Sequence, residues 1–297
     1  MFKRQRTGSV LCTSCGVLVG VNDETCYNCG RRNPALWGFA PALRALGADL
    51  GFVPLVTGTC VIVYALTLLA SRGDIGMSGL FGFLSPSPLA LYLFGATGPS
   101  FVSFKSEVGG GWWTLLSASW LHGSAIHILF NMMSVRQLAP AVADMYGPGR
   151  MIIIYTAGGL AGFALSVFWG LYLPPIPLIG GGGGLTMGAS ACITGLLGAM
   201  YYYGHRGGSS IARSYAAQSI IFVLMQGIFL QGIINNLAHG GGFIGGYVAA
   251  RILDPLKPER VDHIVIALVC LGVSLLAIVA SVVHGLPVYL ALMNRSS

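Results

Sequence analysis

Charge is what this sequence has least of. Asp, Glu, Lys and Arg make up 8% of its 297 residues, only nine of them acidic, while 55% of the chain is hydrophobic. Soluble domains carry about a quarter charged residues, so this composition, with a mean hydropathy of +0.75, excludes one and indicates an integral membrane protein in contact with the lipid bilayer. A net charge of +7 does not argue for a nucleic-acid partner, because the basic residues are scattered among apolar runs rather than gathered on one face with aromatics between them. Also missing is a secretory signal. Residues 1–33 are polar and hold four cysteines instead of a short apolar core with a cleavage site, so the N-terminus is expected to be retained. No repeat of fixed period occurs. The five glycines Gly180 to Gly184 are not followed by the Lys and Ser or Thr of a phosphate-binding loop. Gly188-Ala189-Ser190-Ala191-Cys192 lacks the G-x-S-x-G elbow of soluble hydrolases. No acidic residue lies inside an apolar run, which removes the usual ion-coupling group of a transporter.

What is present is a series of apolar stretches. About 20 mostly apolar residues are needed for a helix to cross the hydrocarbon, and seven such stretches occur at 52–71, 113–136, 151–173, 188–204, 214–231, 234–253 and 263–284. With a cytoplasmic N-terminus and an extracytoplasmic C-terminus, 13 of the 16 Lys and Arg residues fall on the inside and only Arg72, Lys105 and Arg295 outside, as the positive-inside rule demands. Dropping one span would flip every later loop and spoil this asymmetry.

Ahead of the first span stands CTSCGVLVGVNDETCYNCG, which sets Cys12, Cys15, Cys26 and Cys29 in two Cys-x-x-Cys-Gly turns. Four thiolates at this spacing suit a tetrahedral structural Zn²⁺ site. Two disulfides are the alternative in an oxidising compartment, but the charge bias puts the segment in the reducing cytoplasm. So short a head has too little core to fold unaided and would draw its stability from the metal. The expected organisation is a zinc ribbon over 1–35, a linker over 36–50, a membrane domain over 51–255, and a C-terminal helix and tail over 256–297. Cys60, Cys192 and Cys270 lie in apolar runs and read as small core residues.

Polar side chains within spans are functional candidates by default. His122, His127 and Asn131 stand in the second stretch, Ser190 in the fourth and His239 in the sixth. These three stretches run in the same direction, so the groups can meet in one plane near the outer face. His127 and Asn131, four apart, share a helix face. Ser190 occupies a first helical turn, where unpaired N–H groups favour an anion. A neutral imidazole at His239 is the base that a serine nucleophile needs. Taken alone, Ser190 reads as a hydroxyl bonded back to a carbonyl one turn earlier, and a lone histidine as a packing group. His122 reads equally as a polar gate or a structural bond, and Trp112, Trp113 and Trp120 as interface anchors and packing.

The stretches WWTLLSASWLHGSAIHILFNMM, GPGR, GASACITGLLGA and NNLAHGGGFIGGYVAA together resemble the rhomboid intramembrane serine proteases over about 112–253. The resemblance implies an all-α polytopic fold, a six-helix core here extended by a seventh, C-terminal helix. It implies Ser190 as nucleophile and His239 as general base, a dyad without an acidic third member, with His127, Asn131 and the Ser190 N–H forming the oxyanion hole. No cofactor is implied for catalysis. The implied activity is endopeptidase cleavage in or near transmembrane segments of single-span membrane proteins. The loop 173–188 is a place where an extended substrate could lie, or a plain flexible linker. A catalytically silent protein that binds client helices is the rival function. Departures from the family pattern are Ala191 for a glycine, Thr194 for an aromatic residue, Thr114 for an arginine, and Ala143-Asp144-Met145 for a Glu-x-Arg feature. Gly242 and Gly246, facing Ala191, Gly195 and Gly198, are expected to let the sixth helix pack closely on the fourth.

Overall fold

The computed structural model describes residues 4–44, 47, 49–102, 111–177, 179, 184–230 and 232–294. Lys3, Lys105 and Arg295, counted in the charge asymmetry, lie outside the described residues, as do 45, 46 and 48 of the expected linker and 178 and 180–183 of the glycine-rich loop.

Seven long helices follow one another: α1 (Phe52–Ala70), then, after the short α2 (Pro88–Phe94), α3 (Ala125–Tyr146), α4 (Pro148–Tyr172), α5 (Ser190–His205), α6 (Ser210–Phe229), α7 (Asn236–Leu253) and α8 (Val261–Met293). The chain is an all-α polytopic membrane protein. Among the described residues, only α1, α4 and α8 are long and apolar enough to qualify as spans by length and composition alone. The reason is visible in α5, whose sixteen residues extend about 24 Å at 1.5 Å per residue. Twelve of those sixteen are buried, so α5 is lined by protein rather than lipid and is free to be short and polar at its end. By contrast, α8 turns Val265, Leu268, Val269, Leu276, Val279 and Val283 outward, an apolar face suited to acyl chains.

The second helix starts later than the apolar pattern indicates. Residues 113–124 do not join it: Thr114–Ser117 make one turn, Ala118–Trp120 a 3-10 turn, and the chain then extends at Leu121. The Ser124 side chain accepts the His127 N–H and caps α3 at Ala125, the usual role of a serine at this position. The helix then continues to Tyr146, so it is displaced along the sequence rather than shortened. Ser209 caps α6 and Asn235 caps α7 in the same way. Between α3 and α4 lies a single turning residue, Gly147, at φ +89, with Pro148 opening the next helix; the left-handed backbone there suits glycine, and proline suits a first helical turn.

At the centre, α4, α5 and α7 meet through glycine. A Cβ on Gly246 would strike the backbone of Gly195, one on Gly198 the Phe243 carbonyl, and one on Gly242 the Ala191 carbonyl. On the α4 side, a Cβ on Gly158 would lie 2.7 Å from the Gly195 Cα. Such backbone approach is how helices pack where lipid offers no hydrophobic drive. The last helix braces the segment ahead of α3: the Ser281 hydroxyl lies 3.3 Å from that of Ser117, which donates to the Gly95 carbonyl, and the Tyr289 hydroxyl donates to the Ala70 carbonyl.

The N-terminal head is a two-stranded antiparallel hairpin, β1 (Ser9–Leu11) and β2 (Leu18–Gly20), pairing Val10 with Val19. Its core is Val10, Cys12, Val19, Val21, Cys26, Ala35 and Ala40. Ala40 lies in the helical turn Ala40–Arg44, within the stretch read as a linker.

Candidate active site

Three helix starts converge at one end of the bundle. Ser190 is the first residue of α5 and His239 lies in the first turn of α7, while His127 and Asn131 occupy the first two turns of α3. The His239 Nε2 is 2.8 Å from the Ser190 Oγ, within the range in which a proton passes between hydroxyl and imidazole. His239 is 7% exposed, and its Nδ1 is buried with no partner among the described residues. A neutral ring accepting the serine proton at Nε2 therefore carries its own hydrogen on Nδ1.

Gly188, two residues before the serine, has φ +121, and a Cβ placed on it would lie 2.6 Å from the His127 Nε2 and 3.5 Å from the Asn131 Nδ2. The space that this glycine leaves open is thus bordered by two nitrogens. The His127 Nδ1 accepts the Gly123 N–H at 3.3 Å, which puts the ring hydrogen on Nε2, facing that space. The Asn131 amide nitrogen is buried with no partner among the described residues, and a buried donor left unpaired needs an explanation. The opening N–H groups of α5 add donors that no carbonyl one turn earlier can take. His122, fully buried, packs edge-on against His127 at 5.1 Å between ring centres. It precedes α3 instead of standing within it.

One residue of this site gave no sequence signal. Asn235 donates from Nδ2 to the Ser166 hydroxyl of α4 at 2.6 Å and to the Thr186 hydroxyl at 3.0 Å, while its Oδ1 accepts the Ala238 N–H. Thr186 in turn makes a two-bond antiparallel bridge with Thr97. A single amide thus ties together α4, the segment entering α5 and the start of the helix that bears His239. Capping residues are common, and nothing in the spacing of Asn235 distinguishes a cap from a three-way tether.

Among the departures from the family pattern, Thr194 donates its hydroxyl to the Ala191 carbonyl and abuts Gly242, one turn beyond His239. Thr114 donates to the Gly111 carbonyl and pairs with the Thr97 hydroxyl. Trp113 stacks edge-on with His284 at 5.4 Å and Trp120 is buried, while Trp112 is exposed.

In the head, the sulfurs of Cys12, Cys15, Cys26 and Cys29 all lie within 4.8 Å of one another. Cys12 and Cys29 are 3.8 Å apart and Cys15 and Cys26 3.6 Å apart. Tetrahedral thiolates at about 2.3 Å from zinc stand about 3.8 Å from each other, the spacing of these two pairs, so the four could hold a metal of that size. Burial and the neighbouring thiols push Cys29 up to about 12. Burial acts the same way on Cys15, but the Val17 N–H and the Asn28 side chain outweigh it and bring that thiol down to about 6. Cys29 thus keeps a proton that a cation would displace, while Cys15 is the thiol readiest to bind one.

The rhomboid domain family matches residues 109–255, a stretch that takes in α3 to α7 and every side chain of the helix-start site. Rhomboid protease GluP of Bacillus subtilis is 34% identical over 146 residues, 48% of this chain but only 26% of GluP. Inactive RHOMBOID-like protein 8 of Arabidopsis thaliana is 29% identical over 180 residues, 56% of this chain and 46% of that protein. The chain therefore spans less than half of either. Putative rhomboid protease YdcA of Bacillus subtilis is 30% identical over 156 residues, covering 51% of this chain and 72% of its own length. With one relative matched along most of its length and the family's domain laid over the helices that carry Ser190 and His239, this chain belongs to the rhomboid family.

Proposed function

We propose that the protein is an intramembrane serine endopeptidase that cleaves single-span membrane proteins with a Ser190–His239 dyad. The observation that carries the reading is the 2.8 Å approach of the His239 Nε2 to the Ser190 Oγ, across two helices that meet backbone to backbone at Gly195 and Gly246. His239 takes the hydroxyl proton as Ser190 attacks the scissile carbonyl carbon. The resulting oxyanion sits in the space beside Gly188, held by the His127 Nε2–H, the Asn131 amide and the Ser190 N–H. His239 then passes the proton to the leaving amine, and water, activated by the same imidazole, hydrolyses the acyl-enzyme. No cofactor takes part. The basic residues orient the helix-start end outward and the head inward, so the cut falls near the extracytoplasmic face. In the head, Cys12, Cys15, Cys26 and Cys29 hold a structural Zn²⁺, as their spacing supports.

A silent client-binding role is the second reading. Ala191 and Thr194 depart from the family pattern at the α5–α7 crossing, and one curated relative carries "Inactive" in its name. The two are separated by incubating purified protein with a single-span model substrate in detergent. Wild type should cut it and Ser190→Ala should not. Equal behaviour of the two would remove the protease reading and leave the binder.

A further inference from the structure

At the end of the bundle away from Ser190, the head is joined to the membrane helices by a buried guanidinium. The Arg31 Nη1 donates to the Glu259 carbonyl at 2.9 Å, and the two residues are 5% and 4% exposed. Arg31 follows directly on the second cysteine turn, and its carbonyl accepts the Cys26 N–H at 2.8 Å. The knuckle that would grip a metal is thus the same piece of backbone that aims this side chain.

Glu259 leads on into the helices. Its carboxylate accepts the Arg150 N–H at 3.0 Å in the first turn of α4, where a helix favours negative charge. Cβ atoms on Gly147 or Gly149 would come within 2.5 to 3.0 Å of that carboxylate, so the two glycines of GPGR leave the room it fills. Burial pushes the Glu259 carboxyl up, opposed by the Arg150 N–H and by the Arg150 and Arg31 charges. The Arg150 Nη1 donates to the carbonyls of Leu253, Asp254 and Lys257 and closes the C-terminal end of α7. One bonded chain therefore runs from Cys26 through Arg31, Glu259 and Arg150 to the ends of α4 and α7.

We infer that the head is a metal-dependent latch: with its metal bound it holds Arg31 on the 254–260 loop and fixes the inner ends of α4 and of α7, the helix that carries His239. In the docked head the Arg31 Nε and Nη2 are buried without a hydrogen-bond partner among the described residues, which is costly for a charged group. Only a rigid knuckle can hold Arg31 there against that cost, and a head with so small a core is rigid only around its metal. Along α7, His239 stands fourteen residues from Leu253, about 21 Å at 1.5 Å per residue. The latch therefore acts on the site through the α4–α5–α7 crossing and not by contact, and it makes proteolysis responsive to cytoplasmic zinc. This rests on the zinc reading of the four cysteines and on the orientation given above.

The test is hydrogen–deuterium exchange of the full-length protein in lipid nanodiscs, with bound zinc measured on every sample. Stripping zinc from the wild type with a chelator should speed exchange over 253–263 and at Arg150 by about tenfold or more, with 188–195 unchanged. Arg31→Ala that retains zinc should do the same, and Arg32→Ala, at the exposed neighbouring residue, should not. Zinc-free wild type or zinc-loaded Arg31→Ala exchanging at the loaded wild-type rate overturns the latch alone. A wild type that binds no zinc overturns the metal reading with it. Should Arg31→Ala lose its metal, the chelated wild type decides the question.

Discussion

The membrane bundle and the cysteine head are both stabilised without large side chains at their closest contacts, but by different means. In the bundle, Gly195, Gly198, Gly242 and Gly246 bring backbone against backbone, and the result is a crossing close enough for a hydroxyl on one helix to reach an imidazole on the next. In the head, the clustered core holds nothing larger than valine, and four sulfurs lie within 4.8 Å of each other, so that a bound metal would supply what burial does not. A Cβ is ruinous in the first place by collision, whereas Gly16 and Gly30, which follow the cysteine pairs of the second, meet no neighbouring atom and are held to glycine by their positive φ instead. A chelator should be ruinous in the second and, in the first, should loosen only the inner ends of α4 and α7. The lesson is that a small-residue stretch means close packing only where a second element is present to approach it.

This contrast can be broken from either side. The largest effect is expected from Gly246→Val, which forces α7 away from α5: overpacking of this kind costs about 1–3 kcal/mol or more, and the displaced imidazole should take cleavage to background while the metal content of the head stays at one ion per chain. Atomic absorption and a cleavage assay on one preparation check both halves. Next comes Asn131→Ala, which removes an oxyanion donor and leaves the crossing intact. It should lower the cleavage rate about 10²–10³-fold with unchanged thermal stability. Asn235→Ala releases the tether between α4, the Thr186 segment and α7, and should lower kcat about tenfold, as loss of one positioning bond of about 1.4 kcal/mol would. Asn235→Asp keeps the cap on Ala238 but not the two donated bonds, so comparing the two variants apportions the loss. The smallest effect belongs to Cys12→Ser. It should abolish zinc binding yet slow cleavage by only about two- to fivefold, because the head acts on the crossing from its far end through the α4 and α7 termini. A loss as deep as that of Gly246→Val would erase the distinction between the two regions.

Much of this site was legible in the sequence because its chemistry is local in spacing. His127 and Asn131 lie four apart on a face, Ser190 opens a helix, and two Cys-x-x-Cys-Gly turns describe a tetrahedron; each pattern carries its geometry within a few residues. The helices α1, α4 and α8 were legible because each is a long apolar run, whereas α3, α5, α6 and α7 showed through apolar stretches interrupted by glycine and polar residues. The start of α3 was not, since WWTLLSASWLHG is as apolar as the helix that follows. The break depends on Gly123 and on the Ser124 cap, a signal present in the sequence but weaker than hydropathy. What stayed out of reach are bonds between distant residues. Arg31 and Glu259 are 228 residues apart, and Asn235 reaches Ser166 across 69. No periodicity encodes such a pair, and an isolated arginine after a cysteine turn looks like any solvated charge until the fold supplies its partner.

The central claim is that Ser190 is made nucleophilic by His239 within an otherwise apolar bundle. A serine-directed fluorophosphonate probe, with the modified residue located by mass spectrometry, tests it most directly. Wild type should be labelled at Ser190, and His239→Ala, folded by its thermal transition, should label about 10²–10⁴-fold more slowly. Equal labelling of the two proteins, or modification at a different serine, would contradict the account.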